Sequence, residues 1–204
     1  MKRLLVIALV LLARPVYAQI DVRPFFVTTD ERVAASASFN ATLQSTVLPF
    51  YGGGVDVVLT KRFFADVAIT HTSREGQRAF IDNGEVFRLG IPLRVTATPI
   101  EITGGYRFRT WKSRIIPYAG AGIGRYSYHE TADFNAVEED VDVSHAGFIL
   151  LGGAEFRVAR WIGITGDAHY TRVPGILGQA GLSKDLNEND FGGIAGRLRV
   201  VIGR

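Results

Sequence analysis

The sequence of 204 residues contains no cysteine, and only two tryptophans and one methionine. The absence of cysteine excludes disulfides, thiolate metal sites, a cysteine nucleophile and a lipid anchor attached through a thiol. The four histidines lack metal-ligand spacing, and neither of the glycine-rich stretches is followed by a helix that could receive a phosphate. We therefore expect neither a metal nor any other cofactor.

Long apolar runs are also absent, apart from a short one at the beginning of the chain. A basic start, Met1–Arg3, is followed by the apolar run Leu4–Ala13 and the residues Val16–Ala18. This layout predicts a secretory signal peptide over residues 1–18, because about ten apolar residues cannot span a bilayer as a helix. A buried core helix is the alternative.

Removal of this leader changes the charge of the protein. The full chain has a net charge of +3, and the leader contains Lys2, Arg3 and Arg14, so the remainder is close to neutral. No basic excess is left for nucleic acid. An exported chain without a spanning helix is either a soluble protein or a β-barrel of an outer membrane.

Alternation with a period of two dominates the rest of the chain. In residues 148–158 and 162–171, apolar or small side chains occupy one face of each segment. The other face carries Glu155, Arg157, Asp167 and His169. Two such runs joined by a tight break indicate a β-hairpin, and apolar-out, polar-in alternation is typical of transmembrane barrels.

Eight segments show strand patterns. They are residues 20–29, 49–60, 63–72, 86–109, 115–129, 148–158, 162–171 and 190–203. Their connections alternate between long and short, as in outer-membrane barrels with long external loops and tight periplasmic turns. We predict an all-β fold, an eight-stranded antiparallel up-and-down transmembrane β-barrel, in one domain over residues 19–204. A soluble lipocalin-like barrel is the alternative.

The sharpest turn signal is Asn83-Gly84, because Asn-Gly readily forms a type I′ turn. The apolar alternation of the long fourth strand changes phase at Pro99, which predicts a β-bulge there. The upper half of this hairpin should project beyond the membrane. The register counted from the turn pairs Asp82 with Glu85, Phe63 with Gly104, Ala65 with Ile102 and Val67 with Ile100.

Two short motifs carry a resemblance to a known family. The stretch Pro117–Gly124 (PYAGAGIG), supported by Gly152–Glu155 (GGAE), resembles a strand of the small outer-membrane β-barrel family. That family comprises the outer-membrane protein A, X and W types and the opacity-type surface proteins, and the resemblance covers residues 19–204. Its members end in an aromatic residue after alternating apolar positions, whereas this sequence ends in Arg204.

The resemblance implies a porin-like architecture in the outer membrane of a Gram-negative-type bacterial envelope. The implied partners are outer-membrane lipid, the barrel assembly machinery and an extracellular ligand of the loops, with the protein itself a monomer. The implied role is structural or surface-interacting. A small-solute channel of the outer-membrane protein W type is the alternative.

The predicted inward faces collect charges of both signs. An eight-stranded barrel is just wide enough for its interior side chains to fill it, and buried charges require partners. We therefore predict a structural lumenal network in which Asp167 pairs with Arg157, Arg197 or Arg199. Its members are Asp66, Glu101, Arg107, Arg125, Glu155, Arg157, Asp167, His169, Arg197 and Arg199.

One arrangement suggests chemistry. His169 and Thr171 share a strand face and Glu188 follows in the next loop, which resembles the His-x-Ser arrangement of barrel-type lipid A deacylases. Threonine replaces the serine, and the histidine falls on the lumenal face. We therefore predict that the protein is not an enzyme, with a lipid-modifying activity as a distant alternative.

Overall fold

A computed structural model describes residues 20–82, 85–110, 112–132, 141–178 and 181–203, so the predicted leader lies outside the described residues. The eight predicted strands form a closed antiparallel barrel in which β8 pairs with β1. Neither helix in the described ranges is long and apolar enough to cross a membrane. The elements are β1 (Ile20–Val33), α1 (Ser36–Leu43), β2 (Val47–Leu59), β3 (Phe63–Asp82), β4 (Glu85–Arg107), β5 (Ile115–Ala132), β6 (Val141–Arg157), β7 (Ile162–Arg172), α2 (Gly181–Asp185) and β8 (Gly193–Ile202).

The barrel is apolar outside and polar inside. Along β7 every second residue is buried, and the exposed set begins at Ile162 and ends at Tyr170 before the strand becomes polar. Those eight residue steps, at about 3.3 Å each and a tilt of about 40°, cover about 20 Å along the barrel axis. Phe26 is 69% exposed, whereas Asp66 is 1% exposed. A belt of this kind requires a lipid solvent, because water would leave the apolar side chains unburied.

The two ends of the barrel differ. The connections over residues 60–62, 108–114 and 158–161 lie at one end, which we call the turn end. Ile20 pairs with Leu59 there, and the Gly203 amide donates to the Trp161 carbonyl at 2.9 Å. Both described termini therefore lie at the turn end, and the long connections lie at the opposite, outer end.

The β3–β4 hairpin is longer than its sequence pattern indicates. The predicted loop after residue 72 is strand as far as Asp82, which pairs with Glu85 as predicted; Asn83 and Gly84 lie outside the described residues. Beyond this point the predicted register is wrong by two residues, because Phe63 pairs with Tyr106. The other two predicted pairings slip in the same way: Ala65 pairs with Gly104, and Val67 with Ile102.

The two-residue error in the predicted register comes from an irregularity in the β3–β4 ladder. The ladder shifts between Gln77 and Ala79, opposite Gly90, whose φ of 71° is accessible to glycine. No bulge occurs at Pro99, which is buried in phase with its neighbours. The apolar pattern changes face there for another reason: below Pro99 apolar side chains face lipid, whereas above it Val95 and its inward neighbours pack inside the barrel mouth.

An apolar cap fills the outer mouth of the barrel. It combines inward residues of the strands with α1 and the β7–β8 connection. The Phe191 ring lies 5.9 Å from Phe39 and 5.5 Å from Tyr128, measured between ring centroids. Its buried members are Val33, Ala35, Phe39, Leu48, Phe50, Leu93, Val95, Ala97, Tyr126, Tyr128, Val173, Ile176, Leu177 and Phe191.

Candidate functional site

The site with the greatest concentration of charge is the barrel interior below the apolar cap. Its centre is Asp167 on β7, whose cross-strand neighbour on β8 is Arg197. Asp167 Oδ1 accepts a hydrogen bond from Arg197 Nε at 2.9 Å, and Oδ2 accepts one from Tyr118 Oη at 2.7 Å. The predicted pairing of Asp167 with Arg197 is thus present in the structure, with a tyrosine as a further partner.

Arg199 connects this centre to the opposite side of the barrel. Its Nη1 donates to Asp66 Oδ2 at 3.0 Å, and its Nη2 lies 3.5 Å from Asp167 Oδ2. Thr103 Oγ1 donates to the second oxygen of Asp66 at 2.7 Å, and Arg199 Nε donates to Thr165 Oγ1 at 3.1 Å. The guanidinium therefore bridges two carboxylates, and its charge is balanced without solvent.

A second cluster lies nearer the turn end. Arg23 on β1 binds Asp56, and its Nη1 donates to both Glu155 oxygens at 3.1 and 3.0 Å. Arg107 Nη2 donates to Glu155 Oε2 at 2.6 Å. A cavity of about 10 Å³ lies beside these groups, which is room for no more than a single water molecule.

The network continues upward to the apolar cap. Glu101 accepts a hydrogen bond from Tyr126 Oη at 2.7 Å and lies 3.5 Å from Arg197 Nη1. His169 Nε2 is 3.8 Å from Glu101 Oε2, and neither ring nitrogen of this histidine has a hydrogen-bond partner among the described residues. Thr171 Oγ1 donates to the buried Glu31 at 2.5 Å.

Eight of the ten residues predicted for the lumen are buried inside the barrel. Arg157 is half-buried at the turn-end rim, where its Nη2 donates to the Arg160 carbonyl at 2.9 Å, and it does not pair with Asp167. The buried eight are Asp66, Glu101, Arg107, Glu155, Asp167, His169, Arg197 and Arg199.

The inward placement predicted for Arg125 is wrong. Its side chain is exposed on the outer surface, where Nε donates to Ser144 Oγ at 2.8 Å. The reason is the phase of β5: Tyr118 and Tyr126 turn inward because their hydroxyls are bonded to lumenal carboxylates, so the odd-numbered residues between them face outward.

Several members of the network were not predicted from the sequence. Arg23 binds both carboxylates of the turn-end cluster. Its apolar neighbours Val22 and Pro24 face outward, so the alternation of β1 could have placed Arg23 inside. Tyr118 and Tyr126 were not among the residues predicted for the lumen, but their hydroxyls donate hydrogen bonds to the lumenal carboxylates of Asp167 and Glu101.

Glycine makes room for the central carboxylate. Gly153 lies opposite Asp167 in the β6–β7 ladder. A Cβ at Gly153 would meet the Gly166 carbonyl oxygen and would lie 2.5 Å from Asp167 Cβ. No residue with a side chain fits there without displacing the backbone, which explains why a glycine interrupts an otherwise alternating strand.

The residues of the suggested deacylase arrangement do not meet. Thr171 donates to Glu31 rather than to His169, and both Thr171 and His169 are buried inside the barrel. Glu188 instead accepts from the Ala37 and Ser38 amides at the beginning of α1. In the part of the chain that the structure describes, no group of acidic and histidine side chains has a metal-binding arrangement.

Comparisons with known proteins bear on the fold. The sequence matches no family model and no curated protein. Among solved structures, the chain is similar to the N-terminal β-barrel domain of Pseudomonas aeruginosa OprF, with a TM-score of 0.50 and 14% identity over 89% of this chain and 97% of that one. It is also similar to the outer-membrane protein OprG of the same organism, with a TM-score of 0.50 and 10% identity over 90% and 92%.

These similarities concern the fold, and they agree with the motifs in β5 and β6. A closed eight-stranded barrel with a lipid-facing belt is the architecture of the small outer-membrane β-barrels. The chain has the fold of these outer-membrane β-barrels, and the predicted resemblance is confirmed at the level of the fold.

Proposed function

We propose that this protein is an integral outer-membrane barrel with a structural and surface-interaction role, whose interior is closed to solutes. The observation that carries the proposal is the extent of the network: every strand contributes to it. The contributors, in strand order, are Arg23, Asp56, Asp66, Glu101 with Arg107, Tyr118 with Tyr126, Glu155, Asp167, and Arg197 with Arg199.

Such a network opposes conduction for an energetic reason. A solute on a path through the barrel would have to separate paired charges such as Arg199 and Asp66, and breaking a buried pair costs about 3–5 kcal/mol. The apolar cap adds a second barrier, because a hydrated ion would lose its water among Phe39, Phe50 and Phe191. The two barriers lie in series along the axis.

The outer end supports the surface-interaction part of the proposal. The β3–β4 hairpin continues beyond the lipid-facing belt, and it ends in the stacked rings of Phe80 and Phe87, both exposed. Arg88 Nε donates to the Ala41 carbonyl of α1 at 2.9 Å, which fixes the hairpin over the mouth. An exposed apolar tip held in a fixed position is suited to contact with a partner.

Planar-bilayer recording tests the closed interior. We expect the purified protein to show no steady conductance, because paired charges and the apolar cap occupy the path. A variant that lowers both barriers, with Arg23→Ala and Glu155→Ala in the turn-end cluster and Phe50→Ala and Phe191→Ala in the apolar cap, should conduct more than a matched control. In the control the exposed pair Glu75 and Arg94 and the exposed rings of Phe80 and Phe87 are changed to alanine. Steady conductance of the wild-type protein would overturn the proposal in favour of the small-solute channel.

A further inference from the structure

We propose that the turn end carries a binding site for the headgroups of anionic phospholipids. The site is a ring of six cations, which we call the turn-end collar. Its members are Lys61, Arg62, Arg109, Lys112, Arg114 and Arg160. The inference rests on the membrane placement in the proposed function, but it concerns a different part of the molecule and a different ligand.

The charge of the three short connections is of one sign. Residues 60–62, 108–114 and 158–161 together contain these six cations and no aspartate or glutamate. All six side chains are exposed, and among the described residues none of them lies within salt-bridge distance of a carboxylate. At the outer end charges of both signs mix, as in the Arg94–Glu75 pair. The collar therefore carries an excess of positive charge.

Aromatic rings fix the height of the collar relative to the lipid. In each of the three connections an arginine lies over an aromatic residue at the edge of the belt, in the geometry of a cation–π contact. The distances from guanidinium carbon to ring centroid are 5.8 Å for Arg62 on Tyr106, 5.0 Å for Arg114 on Phe156 and 5.5 Å for Arg160 on Trp161.

These rings lie where hydrocarbon meets the headgroups. Trp161 is 54% exposed, and it stands beside the lipid-facing residues Val158 and Ile162. Aromatic girdles of transmembrane barrels occupy this level of the bilayer. The three guanidinium groups are therefore positioned at the depth of the lipid phosphates, with their remaining N–H groups available to oxygen acceptors.

The ligand must match both halves of this surface. It needs an anionic group to bind the guanidinium and an apolar part to cover the exposed rings. An anionic phospholipid has both, whereas a soluble polyanion of the periplasm would bind the cations and leave the rings uncovered. The leaflet concerned is the one at the turn end, where short turns of such barrels face the periplasm.

Lipid competition in reconstituted bilayers tests the proposal. The full chain is reconstituted in phosphatidylethanolamine. The measured quantity is the preference of the boundary-lipid layer, in direct contact with the barrel, for spin-labelled phosphatidylglycerol over spin-labelled phosphatidylcholine. A cation near an anionic surface contributes about a fivefold gain in partitioning. Changing Arg62, Arg114 and Arg160 to glutamine should therefore lower the preference at least about tenfold.

A matched control removes the same charge at the other end, through Arg32→Gln, Arg74→Gln and Lys184→Gln. This control should retain the preference within about twofold, because within the described residues the structure shows no contact of Arg32, Arg74 or Lys184 with an aromatic ring at the edge of the belt. Equal losses in the two triple variants would overturn the proposal, because the lipid preference would then depend only on the net charge of the protein and not on the position of the cations. Binding of soluble anionic cell-wall fragments without any lipid preference would overturn it as well.

A salt series on the wild-type protein keeps the test independent of how the variants fold. The preference for phosphatidylglycerol should fall as ionic strength rises from about 0.05 to about 0.5 M, because exposed charges are screened. If the wild-type protein reconstitutes stably but does not prefer the anionic lipid at low salt, the collar is not a lipid-binding site, and the proposed function is unaffected. Failure to enter bilayers at all would refute the proposed function instead.

Discussion

The central carboxylate offers the most direct test of the interior network. Asp167→Asn keeps the size of the side chain and removes its charge. The carboxylate is 0% exposed, and it accepts from Arg197 Nε at 2.9 Å and from Tyr118 Oη at 2.7 Å. In the variant an amide N–H₂ faces one of these donors, so at least one hydrogen bond is lost together with the charge.

The magnitude follows from the partners that remain. Arg199 keeps Asp66 at 3.0 Å, but Arg197 is left with Glu101 at 3.5 Å. Removing one member of a buried ion pair costs about 3–5 kcal/mol, and since each arginine retains a second carboxylate we expect a loss of about 3 kcal/mol. Urea unfolding in lipid vesicles measures this change.

Two controls complete the experiment. Glu75→Gln removes a charge from an exposed pair with side-chain exposures of 76% and 61%, and it should cost about 0–1 kcal/mol. Adding Arg197→Gln to Asp167→Asn should cost less than the sum of the two single changes, because the two residues share one interaction that either change already removes. If Asp167→Asn is as mild as Glu75→Gln, the interior is wet and the reasoning fails.

Three further changes have defined outcomes. Leu198→Arg, on the lipid-facing belt, should lower the unfolding free energy in vesicles by about 2–4 kcal/mol, and Ile202→Arg near the turn end by less; equal stabilities would contradict the outward assignment. Gly153→Ala should reduce the yield of folded barrel on heat-modifiable gels because its Cβ meets a cross-strand carbonyl, whereas Gly196→Ala, with open space around it, should fold normally. Glu188→Ala should speed amide hydrogen exchange in the first turn of α1, because it removes about 1 kcal/mol of stabilisation from that turn, and it should leave the barrel strands protected. Unchanged exchange would show that Glu188 does not stabilise the beginning of α1.

Much of the barrel could be predicted because its alternation is strict within the membrane. Between lipid and lumen each residue has only two environments, so a period of two identifies both the strand and its inward face, as in β7 and β8. The lumenal positions of Asp167, Arg197 and Arg199 follow from the same pattern.

The predictions failed where side chains have a third environment, the apolar interior of the barrel mouth above the membrane. Above the membrane, Leu93 and Val95 face inward into the apolar cap, so the apolar pattern changes face without a bulge. In β5 the tyrosines have apolar rings and polar hydroxyls, and only their bonds to Asp167 and Glu101 show that they face the lumen. The assignment of Arg125 depended on that choice.

α1 was missed because its sequence provides little of its own stability. The helix has no side-chain cap at its first residue, and both of its ends are held from elsewhere in the chain. Glu188 accepts from the amides of the first turn, and Arg88 Nε donates to the Ala41 carbonyl near the last. Charges of these signs at these ends complement the helix dipole, so the tertiary structure supplies what the local sequence lacks.

The interior network also explains how the barrel selects its register. In a soluble sheet the buried apolar face fixes the register, but here apolar side chains face lipid on every strand and would slide past one another at little cost. The charged face has no such freedom. Asp167 is the cross-strand neighbour of Arg197, and Thr165 is that of Arg199. A slip of two residues would keep the apolar side chains in lipid, but it would move both arginines away from Asp167 and Thr165, and breaking a buried ion pair costs about 3–5 kcal/mol. Paired charges inside the barrel therefore specify the strand register. Burial of apolar surface cannot do so in a membrane, because the apolar side chains face lipid.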